Sequence, residues 1–581
     1  MAETGVPARP STDTVAGVSP PKDRDLVSVQ EARRLAEHAK AAAPALAEYS
    51  QERIDAIVDR MAEAARHHAE EFARLAVEET GYGVVSDKVQ KNLFSSDTVY
   101  RFISPLRTVG VIHRDESRRI VEIAEPFGVV AAVVPSTNPT STAIYKILIS
   151  LKARCPIVIS PHPAAVRCIT RVAEVMSDAA TDAGAPPGAI GWMRTVTLEG
   201  TQELMKHRAV AVILATGGMG LVRAAYSAGK PAYGVGPGNA PSYIERTADL
   251  PKAVADVVAG KCFDNGVLCS SPNSVVVDVA VCEEVKREFI RQGAHFLSPA
   301  EAEVLANVLV TPQRLPNPAL VGKSAIEIAR RVGIAVPPST RVLIAELAGV
   351  GRDYPLSIEK LCPVLSYYVV ADWREGCERC IQILRYGGMG HTMSIHSENE
   401  DVILQFGLKK PAFRIVVNTP TTHGSVGMTT GLDPAMTLGC GGYGGNITSD
   451  NIGPRHLLNI KRLAYETRPV SAPVTGRPLE RRQAPLPKSP GLPPATEVDA
   501  PAVRRQVASF LAAAAATPSP LAAPPAQTPT TVATFVCEDD VKEALKAGQK
   551  ILVGERTIIT PSARDLGEAR RVFVPAAWPK G

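Results

Sequence analysis

The chain has 581 residues, 64 Lys and Arg against 59 Asp and Glu, a formal charge of +5 and ten cysteines. The length holds more than one core, and so small a charge with no dense basic stripe argues against nucleic-acid binding. The cysteines lack the tight, even spacing of a disulfide framework, which points to a reducing cytoplasm, and no apolar run reaches the roughly 18 residues that span a bilayer.

Residues 1–25 read as a mobile leader, polar and proline-containing, with no basic-then-apolar signal sequence. From Ser28 to about Ser104 Ala, Leu and Ile recur at three- and four-residue spacing among charges, a helical pattern. Residues 109–124 read as an extended hairpin. From Gly128 to Tyr233 apolar strands (Val129 to Val134, Pro156 to Ile159, Val210 to Ala215) alternate with helices. That alternation is the signature of βαβ units around a parallel sheet. A second α/β region spans residues 238–440, followed by a segment at 441–465. The remainder, 466–581, turns rich in Pro and Ala and reads as a largely disordered extension. Two islands stand out in it, at 498–516 and 535–574.

The thiol with the most pointed setting is Cys269. It follows the turn Phe263-Asp264-Asn265-Gly266 and precedes the strand-like run Asn273 to Val277, with an amphipathic helix from Leu250 to Lys261 upstream. A turn glycine permits a sharp path that presents a side chain regular structure would hide. An exposed thiolate in such a loop is a strong nucleophile, although a buried structural cysteine is the other reading of the same segment. Cys377 and Cys380 form the single CxxC; with no second pair at knuckle spacing they read as two thiols on one helix face, and no metal site is expected.

Three glycine- or asparagine-bearing turns follow strands. Thr216-Gly217-Gly218-Met219-Gly220 opens a helix, where bare amides suit a pyrophosphate, though the spacing is not GxGxxG. Gly234-Val235-Gly236-Pro237-Gly238-Asn239 closes the alternating region. Pro135-Ser136-Thr137-Asn138-Pro139 sits at the end of a buried strand, where open α/β sheets place ligands and where an asparagine amide could meet a developing oxyanion.

Together these segments resemble the aldehyde dehydrogenase superfamily, and within it the CoA-acylating branch. That branch includes the aldehyde dehydrogenase half of bifunctional alcohol/aldehyde dehydrogenases and the propionaldehyde or acetaldehyde dehydrogenases of bacterial microcompartments. The carriers are Pro135 to Ala143, Ser160-Pro161-His162-Pro163, Ala215 to Gly218, Phe263 to Cys269, Glu359 to Leu365, Gly390-His391-Thr392 and Thr437 to Gly441, in family order across about residues 28 to 465.

The resemblance implies an α/β aldehyde dehydrogenase fold: a Rossmann-like NAD-binding domain over residues 26–237 with an oligomerisation hairpin near 109–124, a catalytic thiol domain over 238–440, and a C-terminal oligomerisation segment at 441–465. It implies that Cys269 is the nucleophile, that Asn138 and the Cys269 amide form the oxyanion hole, and that Glu359 holds the nicotinamide ribose. Ser136, Thr137, Pro161, His162, Thr216, Gly217, Gly218 and Gly236 would complete the cofactor site, with NAD as cofactor and coenzyme A as co-substrate. His391 is distinctive of the acylating branch and could position or deprotonate the CoA thiol; a structural histidine is the other reading. Aligning Gly238-Asn239-Ala240-Pro241 with the Gly-Lys-Ser-Pro segment of hydrolysing members puts Val235 where they carry the water-activating glutamate. Likewise Ser160-Pro161-His162 replaces their Lys-Pro-Ser.

The expected activity is therefore NAD- and CoA-dependent oxidation of acetaldehyde or propionaldehyde to its acyl-CoA by a ping-pong route. A hydrolysing dehydrogenase that releases free acid and a noncatalytic microcompartment scaffold are the alternatives. A homodimer or homotetramer is implied, with no nucleic-acid or membrane partner. In the extension Val503, Val507, Phe510 and Leu511 make an apolar stripe, with Asp499 and Pro501 as start signals. Segment 498–516 resembles the encapsulation peptides that carry enzymes into microcompartments, which places the protein in the cytoplasm, in a microcompartment lumen, bound to shell or cargo. Segment 535–574 resembles a short tail on several microcompartment-associated proteins and suggests no chemistry.

Overall fold

The structure, a computed structural model, describes residues 23–468, Val470 and residues 533–575. The candidate encapsulation segment at 498–516 lies outside the described residues, as does most of the expected leader. The chain divides into two compact units, within Met1–Ser489 and within Pro490–Gly581.

The strands of the first unit are β1 (Gly110–Asp115), β2 (Ile120–Pro126), β3 (Val129–Val134), β4 (Ile157–Pro161), β5 (Ile190–Trp192), β6 (Val210–Thr216) and β7 (Ala232–Val235). They continue as β8 (Ala240–Ile244), β9 (Pro272–Asp278), β10 (Ala294–Phe296), β11 (Val342–Glu346), β12 (Val364–Val370), β13 (Gly390–His396), β14 (Ala412–Val417) and β15 (Leu458–Ala464).

The expected alternation folds into a five-stranded parallel sheet of order β5-β4-β3-β6-β7. Every residue of β3 is buried, because helices cover both faces of a central parallel strand. Val130, Ala132 and Val134 enter one apolar cluster, and Val129, Ala131 and Val133 the other. The helix Arg24–Ala47 packs on the second face through Ala32, Ala36 and Ala39, and such small side chains let a helix lie close to a sheet. Asp23 caps that helix by accepting from the Asp25 N–H at 3.0 Å, so helix begins inside the stretch expected to be leader. The order in which strands are added reverses between β3 and β6, and their carboxyl ends align with those of β4 and β7: Val134 is opposite Pro161, and Thr216 opposite Val235.

The second region forms a seven-stranded parallel sheet, β10-β11-β12-β9-β8-β13-β14. The expected hairpin is present as β1 and β2, antiparallel, but β15 adds a third strand, pairing Leu458 with Pro126 through Ala464 with Ile120. Cys377 and Cys380 are buried on the helix Trp373–Tyr386, and no metal-binding cluster occurs among the described residues. No helix among the described residues is long and apolar enough to cross a membrane.

The second unit is a folded part of the extension. Its strands β16 (Ala533–Val536), β17 (Ile551–Ile559) and β18 (Phe573–Pro575) are parallel and joined by the helices Glu538–Lys546 and Pro561–Ala569. Val536, Val541, Ala544, Ala563 and Val572 form its small core. Thr560 caps the second helix, with Pro561 in its first turn.

Candidate active site

The helix Leu250–Cys262 delivers the chain to the thiol loop; Asp249 caps its start, accepting from the Lys252 N–H at 3.1 Å. Its end is abrupt. Asp264, Asn265 and Gly266 follow one another with φ of 49°, 53° and 74°, left-handed backbone that costs a non-glycine residue roughly 1–2 kcal/mol. Asp264 is fully buried and is held from three sides. Its Oδ1 accepts from the Val84 N–H at 2.7 Å, its Oδ2 from Lys88 Nζ at 2.9 Å and from Lys91 Nζ, and its own N–H donates to Asp87 Oδ2 at 2.7 Å. Gly83 must be glycine here: its φ is 78°, and a Cβ would lie 1.8 Å from Asp264 Oδ1. The strained turn carries the chain to Cys269, partly exposed just before β9.

Cys269 opens onto a cavity of about 450 Å³ at the carboxyl ends of β3, β4, β6 and β7. Ser136, Thr137 and Asn138 line it after β3, Pro161 and His162 at the end of β4, Thr216, Gly217 and Gly218 at the end of β6, and Val235 and Gly236 at the end of β7, together with Glu359. Of the residues the sequence singles out, the structure thus collects all but His391 around one space, at the switch point of the sheet. His162 caps the following turn through Nδ1, which accepts from the Ala164 N–H at 3.1 Å, and burial lowers its pKa.

Asn138 begins the helix Pro139–Lys152 and is nearly buried. Its Oδ1 accepts from Lys91 Nζ at 2.7 Å, and its Nδ2 donates to Thr137 Oγ1 at 3.2 Å. Glu359 Oε1 accepts from the Gly238 N–H at 3.0 Å, and burial raises its carboxyl pKa to about 8, so it is mostly protonated at neutral pH. Burial first, then Glu359 and Cys440, push the Cys269 thiol up to about 12, with Arg414 opposing. Arg414, on β14, is 3 % exposed; its guanidinium donates to Ser449 O at 2.9 Å and Asn451 Oδ1 at 3.3 Å, and also to Gly439 O.

His391 lies behind Gly238 instead of in the cavity wall. It is fully buried, its Nδ1 is 3.0 Å from Thr392 Oγ1, and burial with Arg414 lowers its pKa to about 3. A Cβ on Gly238 would come within 2.0 Å of Cys269 O and 3.3 Å of the His391 ring, which explains the glycine between them. The imidazole is therefore a weak base held beside the thiol's backbone. That setting fits the structural reading of His391, one of the two that the sequence offers.

Lys88, Lys91 and Arg414 escape a sequence reading. The one trace is that the buried stripe of the helix Val85–Leu93 is Lys88, Lys91 and Asn92, a polar face turned inward.

The description "Aldehyde dehydrogenase family" matches residues 10–308, just over half of the chain. The chain belongs to the aldehyde dehydrogenase family. The bifunctional aldehyde-alcohol dehydrogenase of Escherichia coli (strain K12) is 41% identical over 444 residues, 76% of this chain and 50% of that protein. The chain thus spans about half the length of such curated relatives. The crystal structure of an acetylating aldehyde dehydrogenase from Geobacillus thermoglucosidasius is 49% identical with a TM-score of 0.76, covering 78% of this chain and 100% of that one. A propionaldehyde dehydrogenase from the Clostridium phytofermentans fucose utilisation bacterial microcompartment is 27% identical with a TM-score of 0.68, covering 75% and 97%. The family fold accounts for the two parallel sheets and for the thiol at the carboxyl ends of the first.

Proposed function

We propose that the protein oxidises a short-chain aldehyde, acetaldehyde or propionaldehyde, to its acyl-CoA, with NAD as hydride acceptor and coenzyme A as acyl acceptor. The observation that carries this reading is that Cys269 and Asn138 line one cavity together with an apolar Val235. Cys269 Sγ gives its proton to solvent at the cavity, an ionisation that burial opposes and Arg414 favours, and the thiolate adds to the aldehyde carbon. The Asn138 Nδ2–H and the Cys269 amide hold the oxygen as it becomes anionic. Loss of hydride from that carbon leaves a thioester on Sγ. NAD, when bound, supplies the acceptor for this hydride.

The residues present fit such a dinucleotide. Thr216 Oγ1 is buried without a hydrogen-bond partner among the described residues, and Gly218 opens the helix Met219–Tyr226 with room for a close backbone approach. Val196 and Leu221 offer apolar walls, and Glu359 a carboxyl for ribose hydroxyls.

Release of the acyl group then depends on the acceptor. Val235, 2 % exposed, carries no base, and Glu359 near neutral pH is mostly protonated, so water lacks an activating carboxylate. A thiol ionises several units below water and needs less help, which favours CoA. The NADH produced from an aldehyde panel, with acid and acyl-CoA quantified with and without CoA, tests this: free acid as the main product supports hydrolysis, and no NADH at all supports a scaffold.

Val235→Glu should release free acid in the absence of CoA, because the new carboxylate would enter the cavity near the thioester. Mass balance of acid against acyl-CoA reads it. A folded variant with no rise in acid would overturn the alignment that places Val235 at the base position.

The same reading makes the chain a homodimer or homotetramer and puts it in the cytoplasm, in a microcompartment lumen. Support comes from the 498–516 stripe and the microcompartment origin of one similar structure. Deleting residues 466–581 should leave NADH production within about twofold while removing co-fractionation with shells, because the first unit's last strand ends at Ala464. A fusion of 498–516 alone should follow the shells. If it stays outside them while 533–575 is captured, targeting belongs to the second unit.

A further inference from the structure

The helix Val85–Leu93 lies across the Asn138 turn with an inward polar face. Lys88 Nζ donates to Thr137 O at 3.3 Å, Lys91 Nζ to Asn138 Oδ1 at 2.7 Å, and Asn92 Oδ1 accepts from Thr140 Oγ1 at 2.8 Å. Three side chains of one helix thus hold two residues of the turn and one in the first turn of the helix that follows it. Lys88 and Lys91 also converge on Asp264 Oδ2, at the start of the thiol loop. Lys91 is 2 % exposed, so it has no route to water in place of these partners.

An asparagine amide has two faces that sterics barely distinguish: one accepts, the other donates. An ammonium group can only donate. Lys91 therefore dictates that Oδ1 is the atom turned toward it, which leaves Nδ2 for Thr137 Oγ1 and the cavity. The positive charge of the Lys91 ammonium beside Oδ1 also polarises the amide and strengthens the N–H as a donor.

We infer that Lys91 is a positioning residue for the reaction: it locks the Asn138 amide with its N–H toward the oxyanion and joins that lock to the thiol loop through Asp264. With the lock removed, the amide is free to turn its oxygen toward the developing charge, where it repels. The inference rests on the proposed oxyanion role of Asn138.

Steady-state kinetics of the full chain with propionaldehyde, NAD and CoA test it in a double-mutant cycle. Lys91→Met keeps the side chain's length and removes the donor; turnover should fall roughly 10- to 100-fold, up to the scale of losing one oxyanion donor, with the KM for NAD changed less than threefold. In the Asn138→Ala background the same change should cost less than threefold, because no amide remains to orient. Lys91→Gln, which still donates, should recover turnover to within about tenfold of the parent. Losses that multiply across the two sites, or a folded Lys91→Gln as slow as Lys91→Met, overturn the inference. If Lys91→Met does not fold, Lys91→Gln decides alone: a loss that multiplies with that of Asn138→Ala, or no loss at all, overturns it, and a loss that shrinks in the Asn138→Ala background supports it. If Asn138→Ala itself keeps full turnover, it is the oxyanion reading that falls.

Discussion

Replacing Cys269 by serine is expected to remove acyl-CoA formation, with turnover lower by on the order of 10³-fold or more. The hydroxyl nearly matches the thiol in size, so the fold and NAD binding should be retained. What is lost is ionisation: an alcohol ionises far above a thiol, and the site offers it no ready base. Glu359 is mostly protonated near neutral pH and His391 sits behind Gly238 with its pKa lowered to about 3. Cys262 supplies the control. It ends the helix Leu250–Cys262, its thiol is 3.4 Å from Arg341 O, and it does not line the cavity, so Cys262→Ala should stay active. Stopped assays for acyl-CoA, with thermal melts for both variants, read the outcome. An inactive Cys262→Ala beside an active Cys269→Ser would reverse the assignment.

The second large effect belongs to Asn138. Truncation to alanine should slow turnover by about 10²-fold, about 3 kcal/mol of transition-state stabilisation, with a smaller change in NAD affinity. It also takes an acceptor from Lys91, which keeps Asp264, so stability should fall by only about 1 kcal/mol. Turnover and melting temperature measured on one preparation separate the two effects. A normal turnover number with a raised aldehyde KM would make Asn138 a substrate-positioning group only.

The chemistry-bearing turns were legible because each couples a local signal to a strand end. The six apolar residues of β3 announce a strand buried on both faces, and the Asp-Asn-Gly turn announces a backbone that only special residues tolerate. Lys88 and Lys91 were not, since a lysine on an amphipathic helix reads as a solvated face; only the buried Asp264 of a distant loop makes the inward position affordable. Arg414 is likewise a lone charge on a strand until its carbonyl partners are in place. His391 carries a motif without a position, and its place behind Gly238 follows from packing between β8 and β13 that no periodicity encodes. The island at 535–574 was legible as a break in the Pro- and Ala-rich composition, but its alternation of three short strands and two helices was not read from it.

Strand β15 has a consequence for how the chain is made. It pairs with β2, and the ion pair between Arg462 and Glu122 joins residues 340 positions apart. A ribosome adding about 5–20 residues per second leaves one edge of β2 bare for tens of seconds after β1 has paired with its other edge. The β3–β7 sheet, contiguous in sequence, has no such wait. For that interval the nascent chain presents an open strand edge, the surface through which chains pair wrongly with each other. Slower translation between residues 126 and 458 lengthens the exposure, so yield of folded protein should depend on synthesis rate through this stretch more than through the second unit, whose three strands lie within 43 residues of one another.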